Sequence, residues 1–265
     1  TGLISLVKEY FAENKIDFKI QDTRIRPEPT LDLDIVDDFK FHDYQLDVIN
    51  TAANTTRGII KSATGSGKTA MAAGIIERLN VSPFMFFVTS IDLLTQAKDA
   101  FEKILRQNNS RLQVGQIGGG VIDIRDVNVC TIQTAVRVFG EKWNSKYKFD
   151  EEDSDDATSI EKNKDEIRDL IQSAKGAVAD EIQHWRAETC QLVCRELKSA
   201  FYTYGMSGTP YRDEGDDLLI HACFGKTIAE VSASQLIRDG YLIRPDIKMI
   251  HVKGNKSQYR QWQSI

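Results

Sequence analysis

Beyond Gly58 the chain alternates short, nearly continuous apolar runs with longer stretches whose apolar residues recur every three or four positions. The short runs are Gly58–Lys61, Phe84–Thr89, Val114–Ile117, Val127–Thr131, Ala177–Asp180 and Phe201–Met206, each of strand length. Between them, Ala70 to Leu79 and Ile160 to Ile171 carry helical spacing. Strands separated in this way by helices predict an α/β fold with a mostly parallel sheet and helices on both faces. In such a sheet, ligands collect where the strands end. Polar segments fall at these predicted ends: Ser62 to Thr69, Thr89-Ser90, Thr131, Asp180-Glu181 and Ser207-Gly208-Thr209. Their convergence on one site is the first functional expectation.

Upstream the pattern is different. Leu3, Leu6, Val7, Tyr10 and Phe11 follow a helical period, and Ile16, Phe18 and Ile20 then alternate as in a strand. Residues 1–25 are therefore expected to form a short α+β appendage, the remnant of an accessory domain. Residues 26–38, with Pro27, Pro29 and scattered acids, have the composition of an extended linker. The main lobe is expected to span 39–245, interrupted at 140–159 by a mobile acidic insertion without periodicity. Residues 246–265 are expected to be a hinge and the first elements of a further lobe, which makes the chain a fragment.

Composition narrows the classes. At 265 residues and 41% apolar, the chain can fill one large α/β core. A formal net charge of −5 excludes a strongly basic nucleic-acid binder, but Asp150, Glu151, Glu152, Asp153, Asp155 and Asp156 are clustered; setting these six aside leaves about +1. A local basic track is compatible with that balance. No apolar run is long enough for a membrane span, and the signal-peptide layout is absent, so a cytoplasmic location, in a bacterial or phage-infected cell, is expected. The four cysteines lack C-x-x-C spacing. Cys190 and Cys194 lie one helical turn apart, as core residues do, so the thiols are expected to be reduced and buried.

The segment Ser62-Ala63-Thr64-Gly65-Ser66-Gly67-Lys68-Thr69 sits between a strand run and a helix run. A glycine-rich turn in that setting aims consecutive backbone N–H groups and a helix N-terminus at one point, where a nucleotide phosphate can be cradled. Thr64, Gly65, Ser66 and Gly67 would form the cradle, Lys68 would reach the β- and γ-phosphates, and Thr69 would hold Mg²⁺. Ser62 stands where the strict pattern has glycine, so the match is to the variant with a small residue there. Asp180-Glu181 closes an apolar strand. Such a pair is commonly a helix N-terminal charge pair. Opposite a phosphate cradle, Asp180 would instead hold Mg²⁺ and Glu181 would orient and deprotonate the attacking water.

Taken together, Tyr44-Gln45, the phosphate loop, Asp180-Glu181-Ile182-Gln183 and Ser207-Gly208-Thr209-Pro210 resemble the ordered motifs of superfamily 2 helicases, over roughly Phe39 to Pro245. Gly118-Gly119-Gly120, Thr131-Ile132-Gln133-Thr134 and Tyr211-Arg212-Asp213 through Phe224-Gly225 resemble the group containing XPB and the UvsW-type branch-migrating helicases. The resemblance implies the first RecA-like lobe of an ATP-dependent DNA motor using Mg²⁺. It makes Gln45, beside Tyr44, the adenine reader. Ser207 and Thr209 become coupling residues, and Thr89, Ser90, Gly119, Thr131 and Gln133 face the nucleic-acid backbone. It also implies a second lobe whose arginines complete the ATP site, so that the isolated fragment is expected to be nearly inactive. Three positions depart from the pattern: Gln183 replaces a histidine, His42 stands where arginine is usual, and Thr89 replaces a proline. Two other readings share these motifs: a duplex-DNA translocase of a restriction or remodelling complex, and a nucleotide-binding switch or scaffold that does not hydrolyse.

Overall fold

Phe84–Val88 forms β2 at the middle of the sheet, with every residue at most 1% exposed, in a computed structural model that describes residues 2–21, 24–29, 39–139, 159–185, 187–209, 217–246 and 248. A strand covered on both faces can be apolar without alternation, which is why this run contains no polar residue. Helix α1 (Ile4–Glu13) precedes α2 (Asp43–Ala53), β1 (Arg57–Ser62), α3 (Lys68–Leu79), β2 and α4 (Ile91–Gln107). There follow β3 (Val114–Gly118), β4 (Val121–Asp123), β5 (Val127–Thr131), α5 (Ile132–Phe139) and α6 (Lys164–Ser173). The remaining elements are β6 (Gly176–Ala179), a 3-10 turn (Ile182–His184), α7 (Ala187–Glu196), β7 (Tyr202–Ser207), α8 (Asp217–Phe224), β8 (Thr227–Val231) and α9 (Ala233–Arg238).

The sheet order is β4-β3-β5-β2-β6-β7-β1-β8, parallel except for the β3/β4 hairpin. Period-two alternation sends Ile60, Phe86, Val129, Val178 and Tyr204 to one face, against α2, α3, α4 and α9. Ile59, Phe87, Cys130, Ala177 and Ala179 point to the other, against α5, α6, α7 and α8. The buried Tyr204 ring pins α2 to the sheet, its hydroxyl 2.8 Å and 2.7 Å from the carbonyl oxygens of Ala52 and Thr55.

All six strands predicted for the main lobe form. Two were not anticipated. β4 follows the turn Gly119-Gly120, whose φ angles of 63° and 76° suit the tight hairpin that two glycines permit. β8 adds an edge beside β1, where its partly exposed residues give only a weak apolar signal. The predicted strand at Ile16 to Ile20 is a correction: these residues are irregular and exposed. Without a neighbouring strand, alternation alone does not order a backbone. Helix α1 does form, and its segment contacts the lobe through the Glu9–Lys226 ion pair and the Gly2 N–H donating to Ala222 O at 2.9 Å. The helix predicted over Ile160 to Ile171 is broken at Asn163, with helical residues 159–162 before α6. Residues 140–158 of the acidic insertion, 30–38 of the linker and 249–265 lie outside the described residues. Among the described residues, no helix is long and apolar enough to cross a membrane.

Candidate nucleotide and nucleic-acid site

Sheet order explains how distant segments meet. β1, which carries the glycine-rich loop, and β6, which carries Asp180-Glu181, are separated only by β7, whose carboxyl end is Ser207-Gly208-Thr209. An ideal Cβ on Gly208 would lie 3.5 Å from Ser62 O and 3.8 Å from Thr64 N, so the third turn rests against the first.

Within the loop, Gly65 and Gly67 adopt φ of +81° and +79°, a region that disfavours any residue with a Cβ. Gly67 is also the N-cap of α3, and a Cβ there would come within 2.5 Å of Gln45 Nε2. Ser62 has a role of its own: its buried hydroxyl lies 2.6 Å from that of Ser66, a bond across the base of the loop that glycine could not make. Tyr44 Oη and Gln45 Nε2 both donate to the Ser66 carbonyl, at 2.9 Å and 3.1 Å. Gln45 Oε1 accepts from His42 N at 3.0 Å. Each end of the Gln45 amide is thus engaged once inside the protein, which fixes its orientation, while the second N–H and the second lone pair are what a purine edge would use. Tyr241, which sequence reasoning missed, packs its ring 4.7 Å from His42 and 5.0 Å from Tyr44. Burial and Tyr241 together raise the Tyr44 pKa.

Across the sheet, Glu181 has φ 48° and ψ 49°, left-handed backbone that a non-glycine residue adopts only at a cost of about 1–3 kcal/mol. Surrounding contacts hold it there. Asp180 N donates to Phe87 O at 2.9 Å, Glu181 N donates to Asp180 Oδ1 at 2.9 Å, and the buried Trp185 indole donates to Asp180 O at 3.0 Å. The bend brings Glu181 Oε1 to 2.9 Å from Lys68 Nζ. Glu181 Oε2 accepts from Gln183 Nε2 at 2.6 Å, Gln183 Oε1 accepts from the Ser207 hydroxyl at 2.5 Å, and Ser207 Oγ accepts from Thr209 N at 3.0 Å. A continuous polar line therefore runs Lys68, Glu181, Gln183, Ser207, Thr209.

The two carboxylates are electrostatically distinct. Burial, with the Glu181 charge beside it, raises Asp180 from 3.8 to about 6, although Lys68 and the bond from Glu181 N oppose the rise. Burial also pushes Glu181 upward, but the bonds from Gln183 and Lys68 outweigh it and leave its pKa lowered. A buried and a half-buried carboxylate beside one ammonium are a donor set that gains from a hard divalent cation, and the exposed Thr64 and Gly65 leave the mouth of the loop open to a polyphosphate. Thr69, half-buried in the first turn of α3, completes the predicted set.

The raised Asp180 pKa predicts a stability profile for the nucleotide- and metal-free protein. The native state binds this proton more tightly than the unfolded chain, so the benefit is full below about pH 4 and is lost as pH rises through about 6. That difference corresponds to about 3 kcal/mol at pH 8. Asp180→Asn should therefore resist urea better than the parent at pH 8, with the gap closing at pH 4; a gap independent of pH would contradict the assignment.

The strand ends on the other half of the sheet, β3, β5 and β2, carry the residues expected to meet nucleic acid. Gly119 and Ser90 are exposed there, and Ser90 Oγ also accepts from Leu93 N at 3.3 Å as the N-cap of α4. Gln133 Nε2 donates to Thr89 O at 2.8 Å, joining β2 to α5. The buried Thr131 hydroxyl lies 2.8 Å from that of Thr134 and accepts from Thr134 N at 3.3 Å. Thr131 thus ties the end of β5 to the first turn of α5, with its hydroxyl turned inward. Pro210 to Asp213 lie outside the described residues.

Comparison with known proteins bears on the family and the fold. The DNA 3'-5' translocase XPB2 of Sulfurisphaera tokodaii is 24% identical over 259 residues, which cover 98% of this chain and 50% of the translocase. The chain thus spans about half the length of that relative. Among solved structures, the UvsW helicase from bacteriophage T4 superposes with a TM-score of 0.61 at 18% identity, covering 86% of this chain and 78% of that one. A hypothetical ATP-dependent RNA helicase from Sulfolobus tokodaii gives 0.52 at 17% identity, covering 73% and 54%. These likenesses show the fold. The family described as type III restriction enzyme, res subunit, matches residues 38–212, well over half of the chain. The chain belongs to that family, and its fold is the first RecA-like lobe of a superfamily 2 helicase.

Proposed function

We propose that residues 39–245 are the first motor lobe of an ATP-dependent DNA helicase or translocase, and that residues 246–265 lead into a second lobe. The observation that carries this reading is the polar line from Lys68 through Glu181 and Gln183 to Ser207 and Thr209. It joins the phosphate-binding half of the sheet to the turn from which a change at the nucleotide can be passed on.

In this mechanism Gly65, Ser66 and Gly67 hold the phosphates through backbone N–H groups, while Thr69 and Asp180 hold Mg²⁺, which supplies charge neutralisation when bound. Lys68 exchanges Glu181 for the β- and γ-phosphates. Released from Lys68, Glu181 loses an influence that lowers its pKa and becomes the stronger base. Gln183 keeps that carboxylate oriented towards the attacking water. Phosphate contacts to DNA are assigned to Ser90 and the Gly119 backbone, with Thr89, Thr131 and Gln133 shaping the surface behind them. Such contacts position the strand without reading its sequence.

The test is ATP turnover by the two-lobed protein with single-stranded, duplex and branched DNA. Stimulation by DNA is expected; equal turnover with and without every DNA would overturn the motor reading. A second prediction isolates the glutamine. Gln183→His should leave basal hydrolysis within a few-fold and change the DNA stimulation ratio, because the residue touches both Glu181 and Ser207. Identical ratios in the two proteins would remove Gln183 from coupling.

A further inference from the structure

Away from the nucleotide site, three of the four cysteines come together. Cys190 and Cys194 are four residues apart on α7 and therefore share one face of it. Cys223 comes from the last turn of α8, which packs against α7. All three sulfur atoms lie within 4.8 Å of one another. Cys130, in β5, is outside this group. The expectation of buried thiols holds for Cys130, Cys190 and Cys223, whereas Cys194 is only partly buried, and it did not include this arrangement. C-x-x-C spacing does not reveal the group, because three residues separate Cys190 from Cys194 and the third sulfur comes from a different helix, 29 positions after Cys194.

We propose that Cys190, Cys194 and Cys223 form a three-thiolate site for a soft, thiophilic d¹⁰ metal ion, which staples α7 to α8. The spacing supports this. With metal–sulfur bonds of about 2.3 Å, three sulfurs around one ion stand about 4 Å apart, so these need only small side-chain rotations to close on it. Thiolate donors select zinc and its softer relatives over magnesium or calcium. Each thiol gives its proton to solvent as its sulfur–metal bond forms, and no electron moves. Three thiolates around a divalent ion leave one net negative charge, and a cation stands beside the site: the Arg57 guanidinium donates to the Cys223 carbonyl oxygen. Cys190 and Cys223 are buried and Cys194 is partly buried, so the three sulfurs are shielded from bulk solvent. The staple sits behind the chemistry, since α7 follows the Asp180–Trp185 turn directly.

The test uses the 265-residue chain, kept reduced with a phosphine, and titrates it with Zn²⁺ and then with Cd²⁺, whose thiolate complexes absorb in the ultraviolet. One equivalent of zinc should survive gel filtration and raise the melting temperature, and cadmium should displace it with a charge-transfer band. Cys194→Ser should lose at least about tenfold in affinity, with Cys130→Ser binding like the parent. No retained metal and no cadmium band in the folded parent would overturn the proposal. Equal affinity in Cys194→Ser would do so as well. The parent titration decides the matter even if a variant fails to fold.

Discussion

Glu181→Gln yields a protein that binds ATP close to normally yet hydrolyses it at least about a hundredfold more slowly in single-turnover assays of the two-lobed protein. The substitution keeps the shape of the side chain and its hydrogen-bonding capacity, so the left-handed turn and the bond to Gln183 can persist. What disappears is the proton acceptor and the negative charge facing Lys68. Losing that partner releases Lys68, which no longer has to leave an ion pair at 2.9 Å before it meets phosphate. ATP affinity is therefore expected to be equal or slightly tighter, and turnover alone to fall. An unchanged single-turnover rate would remove Glu181 from the mechanism. It would also favour the non-hydrolysing switch, which has no use for a base at this position.

Lys68→Ala is expected to act at the opposite end of the line, on binding. Its ammonium is nearly buried, with a side chain 10% exposed, so the charge is poorly screened and its loss is felt strongly at the phosphates. Most ATP affinity and all DNA-stimulated hydrolysis should be lost, because no other residue of this loop carries a positive charge. Folding should survive: the loop retains Ser62 bonded to Ser66, and Tyr44 and Gln45 on the Ser66 carbonyl. The substitution has a second, electrostatic signature. Lys68 lowers the pKa of both Asp180 and Glu181, so both should titrate higher in Lys68→Ala than in the parent. Calorimetric ATP titration together with carboxylate titration by NMR tests the two effects independently. Parent-like hydrolysis would show that the phosphate site is elsewhere.

These two substitutions separate binding from chemistry because the residues, although in contact, face different parts of the substrate. Gln183 then has a definite place between them. A glutamine can donate to a carboxylate and accept from a hydroxyl at once, which is the arrangement found between Glu181 and Ser207. The departure from histidine therefore keeps a bridge at this position, and Gln183→His measures what the exchange of amide for imidazole changes.

Local features of the residues determined much of this protein. Six strands, the glycine-rich turn and the polar strand ends are visible in the sequence because each depends on near neighbours: a period of two or 3.6, or a φ that only glycine tolerates easily. The Gly65 and Gly67 conformations and the burial of Phe84–Val88 follow from such constraints. Tertiary structure alone decided which of those pieces touch. Placing β7 between β1 and β6 sets Gln183 against Ser207, 24 positions away in the chain, and Lys68 against Glu181, 113 positions away. It also closed Tyr241 over His42 and Tyr44, turned the Thr131 hydroxyl inward, left Ile16 to Ile20 without a strand partner and gathered three thiols from two helices. Those outcomes depend on strand order and helix docking, which arise from the summed burial of two sheet faces and leave no periodic trace at the residues they bring together.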